Sequence, residues 1–304
     1  MPDHNVLFGA SLGQWNGADA ADAAGRIRLA TQADRDGLDL FTVADHPYFG
    51  DKLDAYALTG FLLGQTERIT GMVTVTNLPS RPAPMLARTL TSLSALSGGR
   101  VILGIGAGWN EEEYRAYGWP FPPTPVRIAQ MCEGIELIRL MWTSSPATYK
   151  GEHYQITGAY CEPRPNPIPP VVVGGHGEKY LLRAVAKHAD WWNYSFRDLE
   201  TYAHKQEVLK GHCKDVGRDY DQIVQVVRVS ILIAETEADV ERIKGQPGIR
   251  PLSDIRLVGT PAQVTDGLRT ILGRGARRLT VNFADAPRPD GTQLFAARVL
   301  PHLS

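Results

Sequence analysis

Eight short apolar runs, each followed by a longer amphipathic segment, constrain this chain more than any other feature of its sequence. The runs cover residues 6–10, 38–44, 69–75, 101–106, 170–174, 190–194, 224–234 and 278–283. Helical spacing of apolar residues fills the intervals, over 20–33, 55–65, 84–96, 127–142, 178–188, 201–215, 239–244, 262–273 and 292–300. The runs are mostly continuous rather than alternating, as expected of strands covered on both faces. Strict alternation of strand and helix implies a parallel sheet with right-handed crossovers. Eight such units predict an α/β fold, a (β/α)8 TIM barrel with insertions, as one domain over residues 1–304. A doubly wound sheet with a small second domain is the competing arrangement.

Two stretches depart from the repeat. Residues 143–169 hold Pro163, Pro165, Pro167 and Pro169 and are too long for a plain connection. They read as an insertion with a small hairpin, Thr148-Tyr149 against Tyr154-Gln155 around Lys150-Gly151-Glu152. Because this insertion precedes a strand, it is expected at the rim opposite the strand C-termini, or folded over the outside. Residues 245–261 form the second irregular stretch.

Composition removes several functional classes. Hydrophobic residues make up 43% and charged residues 21%, which excludes disordered and fibrous chains. The net charge of -1 argues against nucleic acid as the main partner. No run approaches the ~18 apolar residues of a membrane span, and Met1-Pro2-Asp3-His4-Asn5 does not open a signal peptide. Cys132, Cys161 and Cys213 show no CxxC spacing, so neither a disulfide framework nor structural zinc is expected, and a reducing cytoplasm fits. The histidines are scattered without metal-ligand spacing, so no metal site is expected. No G-x-S-x-G elbow supports a hydrolase triad.

In a barrel, chemistry sits at the strand C-termini. After the second strand comes Ala44-Asp45-His46-Pro47-Tyr48-Phe49-Gly50. A carboxylate beside an imidazole there can position a ligand or move a proton, or Asp45 can be a helix N-cap beside an incidental His46. After the fourth strand, Gly104-Ile105-Gly106-Ala107-Gly108-Trp109 lacks the third glycine of a dinucleotide fingerprint. After the fifth, Gly174-Gly175-His176-Gly177 leads into the helix expected at Glu178. It reads equally as a phosphate cradle or as a tight turn. Trp109 is placed to line a pocket, whereas Trp191-Trp192 more simply fills the barrel wall. Glu111-Glu112-Glu113 reads as acids complementing a helix dipole, and Arg127 as a local partner.

Together these residues resemble the bacterial luciferase-like flavin monooxygenase superfamily, in particular its coenzyme F420-dependent oxidoreductase branch. The segments that carry the resemblance are Val43-Ala44-Asp45-His46, Arg81-Pro82-Ala83-Pro84, and Ser97-Gly98-Gly99-Arg100 through Gly106-Ala107-Gly108-Trp109 to Glu113-Tyr114. It continues through residues 138–142, Gly151-Glu152-His153-Tyr154, residues 169–177 and Ala189-Asp190-Trp191-Trp192, in order along nearly the whole chain. The resemblance implies a barrel, usually dimeric, with a flavin or deazaflavin at the strand C-termini. It puts Asp45 and His46 beside the ring and the substrate. Met72-Val73-Thr74 matches a stretch where a non-proline cis peptide props the ring. Gly106, Ala107 and Gly108 match contacts to the ring or its tail, and Gly174, Gly175, His176 and Gly177 the phosphate cradle. Tyr48 and Trp109 are assigned to the substrate pocket.

One departure matters. The F420-dependent sugar-phosphate dehydrogenases of the superfamily carry a catalytic Glu where this chain has Trp109, which points away from sugar phosphates and towards an apolar substrate. The function expected is hydride transfer between coenzyme F420 and a small organic substrate. His46 is the proton donor or polarising group, oriented by Asp45, in a cytoplasmic homodimer. The alternatives are an FMN-dependent monooxygenase using reduced flavin and oxygen, and a non-catalytic flavin-binding module.

Overall fold

A computed structural model describes residues 5–12, 20–48 and 53–303. Phe49 and Gly50, named above at the end of the second-strand loop, lie outside the described residues, as do residues 1–4 and Ser304. The elements in chain order are β1 (Leu7–Ser11), α1 (Ala20–Arg35), β2 (Leu40–Val43), α2 (Ala55–Gly64), β3 (Thr70–Val73), β4 (Thr76–Asn77), α3 (Ala83–Ser97) and β5 (Val101–Gly106). The next are α4 (Glu111–Ala116), α5 (Thr124–Thr143), β6 (Ala147–Lys150), β7 (Gln155–Ala159), β8 (Val171–Gly174), α6 (Leu181–His188), β9 (Trp191–Ser195) and α7 (Leu199–Val216). The chain closes with β10 (Val224–Ile233), α8 (Glu237–Lys244), β11 (Leu257–Gly259), α9 (Pro261–Gly273), β12 (Ala276–Phe283) and α10 (Asp290–Arg298).

Eight strands pair in parallel in the order β1-β2-β3-β5-β8-β9-β10-β12, and β1 pairs with β12 to close the ring. The predicted (β/α)8 barrel is therefore the observed architecture. The apolar runs are continuous because their two faces fill two different cores. Leu40, Met72, Ile102, Val172 and Val226 pack inside the barrel, with Leu7 and Trp191 against them. The alternate residues, such as Phe41, Val73, Leu103 and Val173, pack outward beneath the helices. Trp191 and Trp192 thus split between the faces, as side-chain alternation along a strand requires. Trp192 is fully buried on the outer side and donates from Nε1 to Gly175 O at 2.8 Å.

The insertion before β8 contains the expected hairpin, β6 against β7, antiparallel with Tyr149 opposite Ile156 and Lys150 opposite Gln155. Glu133, midway along α5, fastens its tip. The Glu133 carboxylate accepts from the backbone N–H groups of Glu152, His153 and Tyr154 at 3.1, 2.9 and 2.6 Å. The hairpin thus lies over the outside of the barrel. Its return strand descends to the N-terminal rim, where Pro167 sits against Gly99 and Pro170 O accepts from Leu103 N at 3.1 Å. In the second irregular stretch, β11 adds to β10 outside the ring.

The helix expected to start at Glu178 starts at Leu181 instead. Gly175 adopts φ +130, a conformation that favours glycine, and residues 178–180 form a turn before the helix begins. Arg127 keeps the local role expected of it. It donates to Pro122 O and to Thr124 Oγ1, and stacks over Phe121 with 3.9 Å from Cζ to the ring centroid.

Candidate active site

A cavity of about 450 Å³ opens at the C-terminal ends of β3, β5 and β8. Its floor follows from the path of the chain between β3 and β4. After Val73 the Thr74–Val75 peptide is cis, and β4 then rejoins the sheet beside β5, with Thr76 opposite Ile105 and Asn77 opposite Gly106. Val75 stands in the gap this leaves. A Cβ added to Gly106 would lie 2.6 Å from Val75 Cγ2, and one added to Gly174 would lie 2.6 Å from Val75 Cγ1. A Cβ on Gly104 would lie 1.9 Å from the Val73 carbonyl oxygen. These glycines therefore accommodate the chain's own bulge.

This revises the reading of Met72-Val73-Thr74. The cis bond falls between Thr74 and Val75, and Val75 is the residue at the cavity wall. Met72 belongs to the interior layer of the barrel and Val73 to the outer core, so neither side chain reaches the cavity.

His46 and Trp109 line the cavity on the β2 and β5 sides, with their rings edge to face at 5.5 Å. The partner of His46 is one that the sequence reading assigned to another task. Glu113, in the short helix α4, is 2% exposed, and its Oε2 lies 3.3 Å from His46 Nδ1. Its Oε1 accepts from the backbone N–H of Tyr48 at 3.3 Å. Glu111 and Glu112 stay exposed at the helix start, where they complement the dipole; Glu113 turns inward. Tyr114, the next residue, donates to Asn77 Oδ1 at 2.6 Å. Asn77 Nδ2, at the cavity wall, is buried without a partner.

Asp45 does not join this arrangement. Its Oδ1 and Oδ2 accept from Arg81 Nη2 and Nε at 3.1 and 3.3 Å, and Arg81 Nη2 also reaches Asp54 Oδ2 at 2.5 Å. Asp54 caps α2 by accepting from Tyr56 N and Ala57 N, and the Tyr56 hydroxyl bonds Thr76 Oγ1 at 2.6 Å. Burial pushes the Asp45 carboxyl above its usual range, and the Arg81 guanidinium opposes that shift. Asp45 thus anchors the second-strand loop to α2 and β4 rather than orienting His46. Tyr48 also turns away: it is exposed, and its hydroxyl donates to Glu112 Oε2 at 3.3 Å.

The β8–α6 loop completes the wall. Gly174, Gly175, His176 and Gly177 line the cavity, followed by the turn at 178–180. Gly175 N–H is used by Asn193 O at 3.1 Å, but among the described residues the amides of Glu178, Lys179 and Tyr180 have no backbone acceptor. Burial holds the His176 imidazole below its ordinary value, and the charges of Arg197 and Lys205 lower it further. The loop is therefore a glycine-bearing turn that opens a helix in a positive field, the physical makings of an anion site. Glu178, also at the cavity wall, accepts from Lys205 Nζ and His204 Nε2 at 2.5 and 2.9 Å.

Of the residues singled out in the sequence, the structure brings His46, Trp109 and the two glycine loops, Gly106-Ala107-Gly108 and Gly174-Gly175-His176-Gly177, around one cavity. The sequence profile of luciferase-like monooxygenases matches residues 5–253.

The chain belongs to the luciferase-like monooxygenase family.

Within this family, an F420-dependent glucose-6-phosphate dehydrogenase from Amycolatopsis mediterranei is 33% identical over 167 residues, covering 52% of this chain and 50% of that protein. Among solved structures, an F420-dependent secondary alcohol dehydrogenase in complex with an F420-acetone adduct superimposes with a TM-score of 0.84, at 18% identity and 99% coverage of both chains. The oxygenating constituent of 3,6-diketocamphane monooxygenase from Pseudomonas putida, in complex with FMN, superimposes with a TM-score of 0.80, at 19% identity and coverage of 97% and 98%. These likenesses bear out the barrel. The relatives and neighbours of the family chain include both F420-dependent and FMN-dependent enzymes.

Proposed function

We propose that this chain is a two-electron oxidoreductase that binds coenzyme F420 and transfers hydride between it and a small organic substrate, with His46 moving the accompanying proton. The observation that carries this reading is the His46–Glu113 pair: an imidazole at the wall of the cavity, held through Nδ1 by a buried carboxylate. Such a pair fixes the orientation of the ring at the cavity wall.

The residues present fit a flat ring bearing an anionic tail. Val75 offers an apolar wall, with Gly106 leaving room for it and Gly108 leaving room for the Tyr114 hydroxyl behind. Asn77 Nδ2 is a buried donor without a partner, suited to a ring carbonyl. The amides of residues 178–180 suit the tail phosphate. When bound, the deazaflavin supplies the two-electron hydride chemistry. The protein supplies orientation, an apolar wall at Val75, and the proton at His46. For an alcohol, the hydroxyl proton goes to His46 as the carbon loses hydride; for a carbonyl, both move the other way. Glu113 also supplies a carboxylate beside His46, so Trp109 does not leave the site without one.

Titration of the purified protein with F420 and with FMN, followed by ring fluorescence, tests the cofactor. F420 is expected to bind at least about tenfold more tightly. Tight FMN binding without F420 binding, together with oxygen consumption, would establish the monooxygenase reading instead.

We further propose a homodimer in a reducing, cytoplasmic compartment. Cys132, Cys161 and Cys213 are free thiols. Met85 and Leu96, 63% and 86% exposed, lie three turns apart on one face of α3, and Phe61 of the adjacent α2 is 52% exposed. Light scattering is expected to give twice the 33.4 kDa chain mass. A Met85→Glu, Leu96→Glu double variant is expected to run as a monomer; a monomeric wild type would remove the proposal.

A further inference from the structure

An asparagine side chain has two ends of nearly the same shape, one that donates hydrogen bonds and one that accepts them. Which end of Asn77 faces the cavity therefore decides which ligand edge that wall accepts. Asn77 is buried in β4 at the cavity wall, and its Nδ2 is without a partner. The choice between its two ends is made from behind, by Tyr114 of α4, whose hydroxyl lies 2.6 Å from Asn77 Oδ1. The second acceptor near that hydroxyl, Ala107 O, is 3.4 Å away, beyond the usual reach of an O–H donor. The single phenolic proton thus goes to Asn77 Oδ1, and the N–H groups of Asn77 are left for the cavity.

The surroundings of Tyr114 hold that hydroxyl in place. Tyr114 is fully buried, and its ring meets Trp119 and Phe121 edge to face at 6.1 and 4.7 Å. The Arg127 guanidinium covers Phe121 in turn. The Trp119 N–H donates to Tyr114 O at 2.8 Å, so the chain after α4 folds back over the ring. Gly108, at φ +73, supplies the space on the β5 side, where a Cβ would overlap the hydroxyl. Burial pushes the Tyr114 phenol above its ordinary value, so the hydroxyl keeps its proton and stays a donor.

We propose that Tyr114 is a positioning residue that locks Asn77 with its donor end toward the cavity, so that this wall selects a ligand edge bearing a carbonyl oxygen and disfavours one bearing an N–H. This rests on the proposed function in taking the cavity as the ring site. Tyr114 lies behind Asn77 and acts through it. Without the hydroxyl, either orientation of the amide leaves a buried polar atom unpaired on the α4 side, and the preference for the donor end is lost.

Titration of the full chain with F420, followed by ring fluorescence, tests this. Tyr114→Phe, which removes one oxygen, is expected to bind F420 about five- to tenfold more weakly, and Asn77→Leu about tenfold more weakly. Asn77→Asp keeps the bond from Tyr114 but presents an oxygen to the cavity, and should weaken F420 by at least about tenfold. The double variant separates positioning from structure. On the Asn77→Leu background, Tyr114→Phe should change F420 affinity by less than about twofold, because its effect passes through Asn77. A loss that persists on that background overturns the proposal, as does unchanged affinity in Asn77→Asp. Circular dichroism and melting curves establish that each variant is folded, and Asn77→Asp, which leaves Tyr114 in place, stands in for a Tyr114→Phe that does not fold. Asparagine-labelled protein gives a readout that needs no ring. The ¹³C signal of the Asn77 side-chain carbonyl, assigned by its loss in Asn77→Leu, should move upfield in Tyr114→Phe. An unmoved signal overturns the proposal whether or not a ring binds. Failure of F420 to bind wild type, with that signal moving as expected, sinks the proposed function alone, and the affinity series is then run with FMN, whose ring also carries carbonyl oxygens.

Discussion

Replacing His46 with Ala is expected to lower kcat by about 10²- to 10⁴-fold, the usual contribution of a positioned proton donor, while F420 still binds. The loss should fall on kcat because the proposed role sets the imidazole against the reacting oxygen rather than against the ring or the phosphate. Glu113→Gln is the informative companion. It keeps the volume and a hydrogen-bonding oxygen beside Nδ1 but replaces the buried carboxylate that holds the imidazole. An intermediate loss of about tenfold is expected. Asp45→Asn, by contrast, should act chiefly on stability, because Asp45 serves Arg81 and the second-strand loop. Steady-state kinetics on the first alcohol or ketone that turns over F420 provides the measurement. Full activity in His46→Ala would remove His46 from the chemistry.

The largest effect on stability is expected at Gly104. Its added Cβ would lie 1.9 Å from the Val73 carbonyl oxygen, a backbone atom locked between β3 and β5. No rotamer change relieves that contact, so the two strands must separate or the bulge must move. Gly104→Ala is expected to cost about 3 kcal/mol or more, at or beyond the upper end of overpacking penalties, and to lower Tm by on the order of 10 °C. Gly64→Ala, in α2 with nothing within 4 Å of the added Cβ, is the matched control and should be neutral or mildly stabilising. A Gly104→Ala protein that melts with wild type would show that the bulge is softer than its packing implies.

The barrel was legible in the sequence because burial on both faces writes itself as continuous apolar runs. Val101–Gly106 is a strand at the limits read from the sequence alone. β4 is not legible because two residues carry no period, and α4 shows itself only through the acids that start it, its six residues being too few for an apolar period. The glycine loops line the cavity, but the sequence does not say what fills the space over each glycine. Nothing local says whether the space over Gly106 or Gly174 holds a ligand or a side chain, and here Val75, from the β3–β4 connection, takes it. Asp45 was read with its sequence neighbour His46, but Arg81, thirty-six residues on, claims its carboxylate. Glu113 was hidden by two identical neighbours, and only the placement of α4 against the second-strand loop separates the three.

The contact of Val75 with Gly106 and Gly174 ties the β3–β4 connection and the ends of β5 and β8 into one steric unit. The residue size tolerated at each position is set by the other two. A side chain at 106 or 174 becomes admissible once residue 75 has shrunk, and a bulkier residue at 75 has no space left to claim. The depth of the cavity therefore does not drift by single changes. It moves in steps that need paired substitutions on different strands, so a library varying these positions one at a time would find a wall where a library varying them together would find a path.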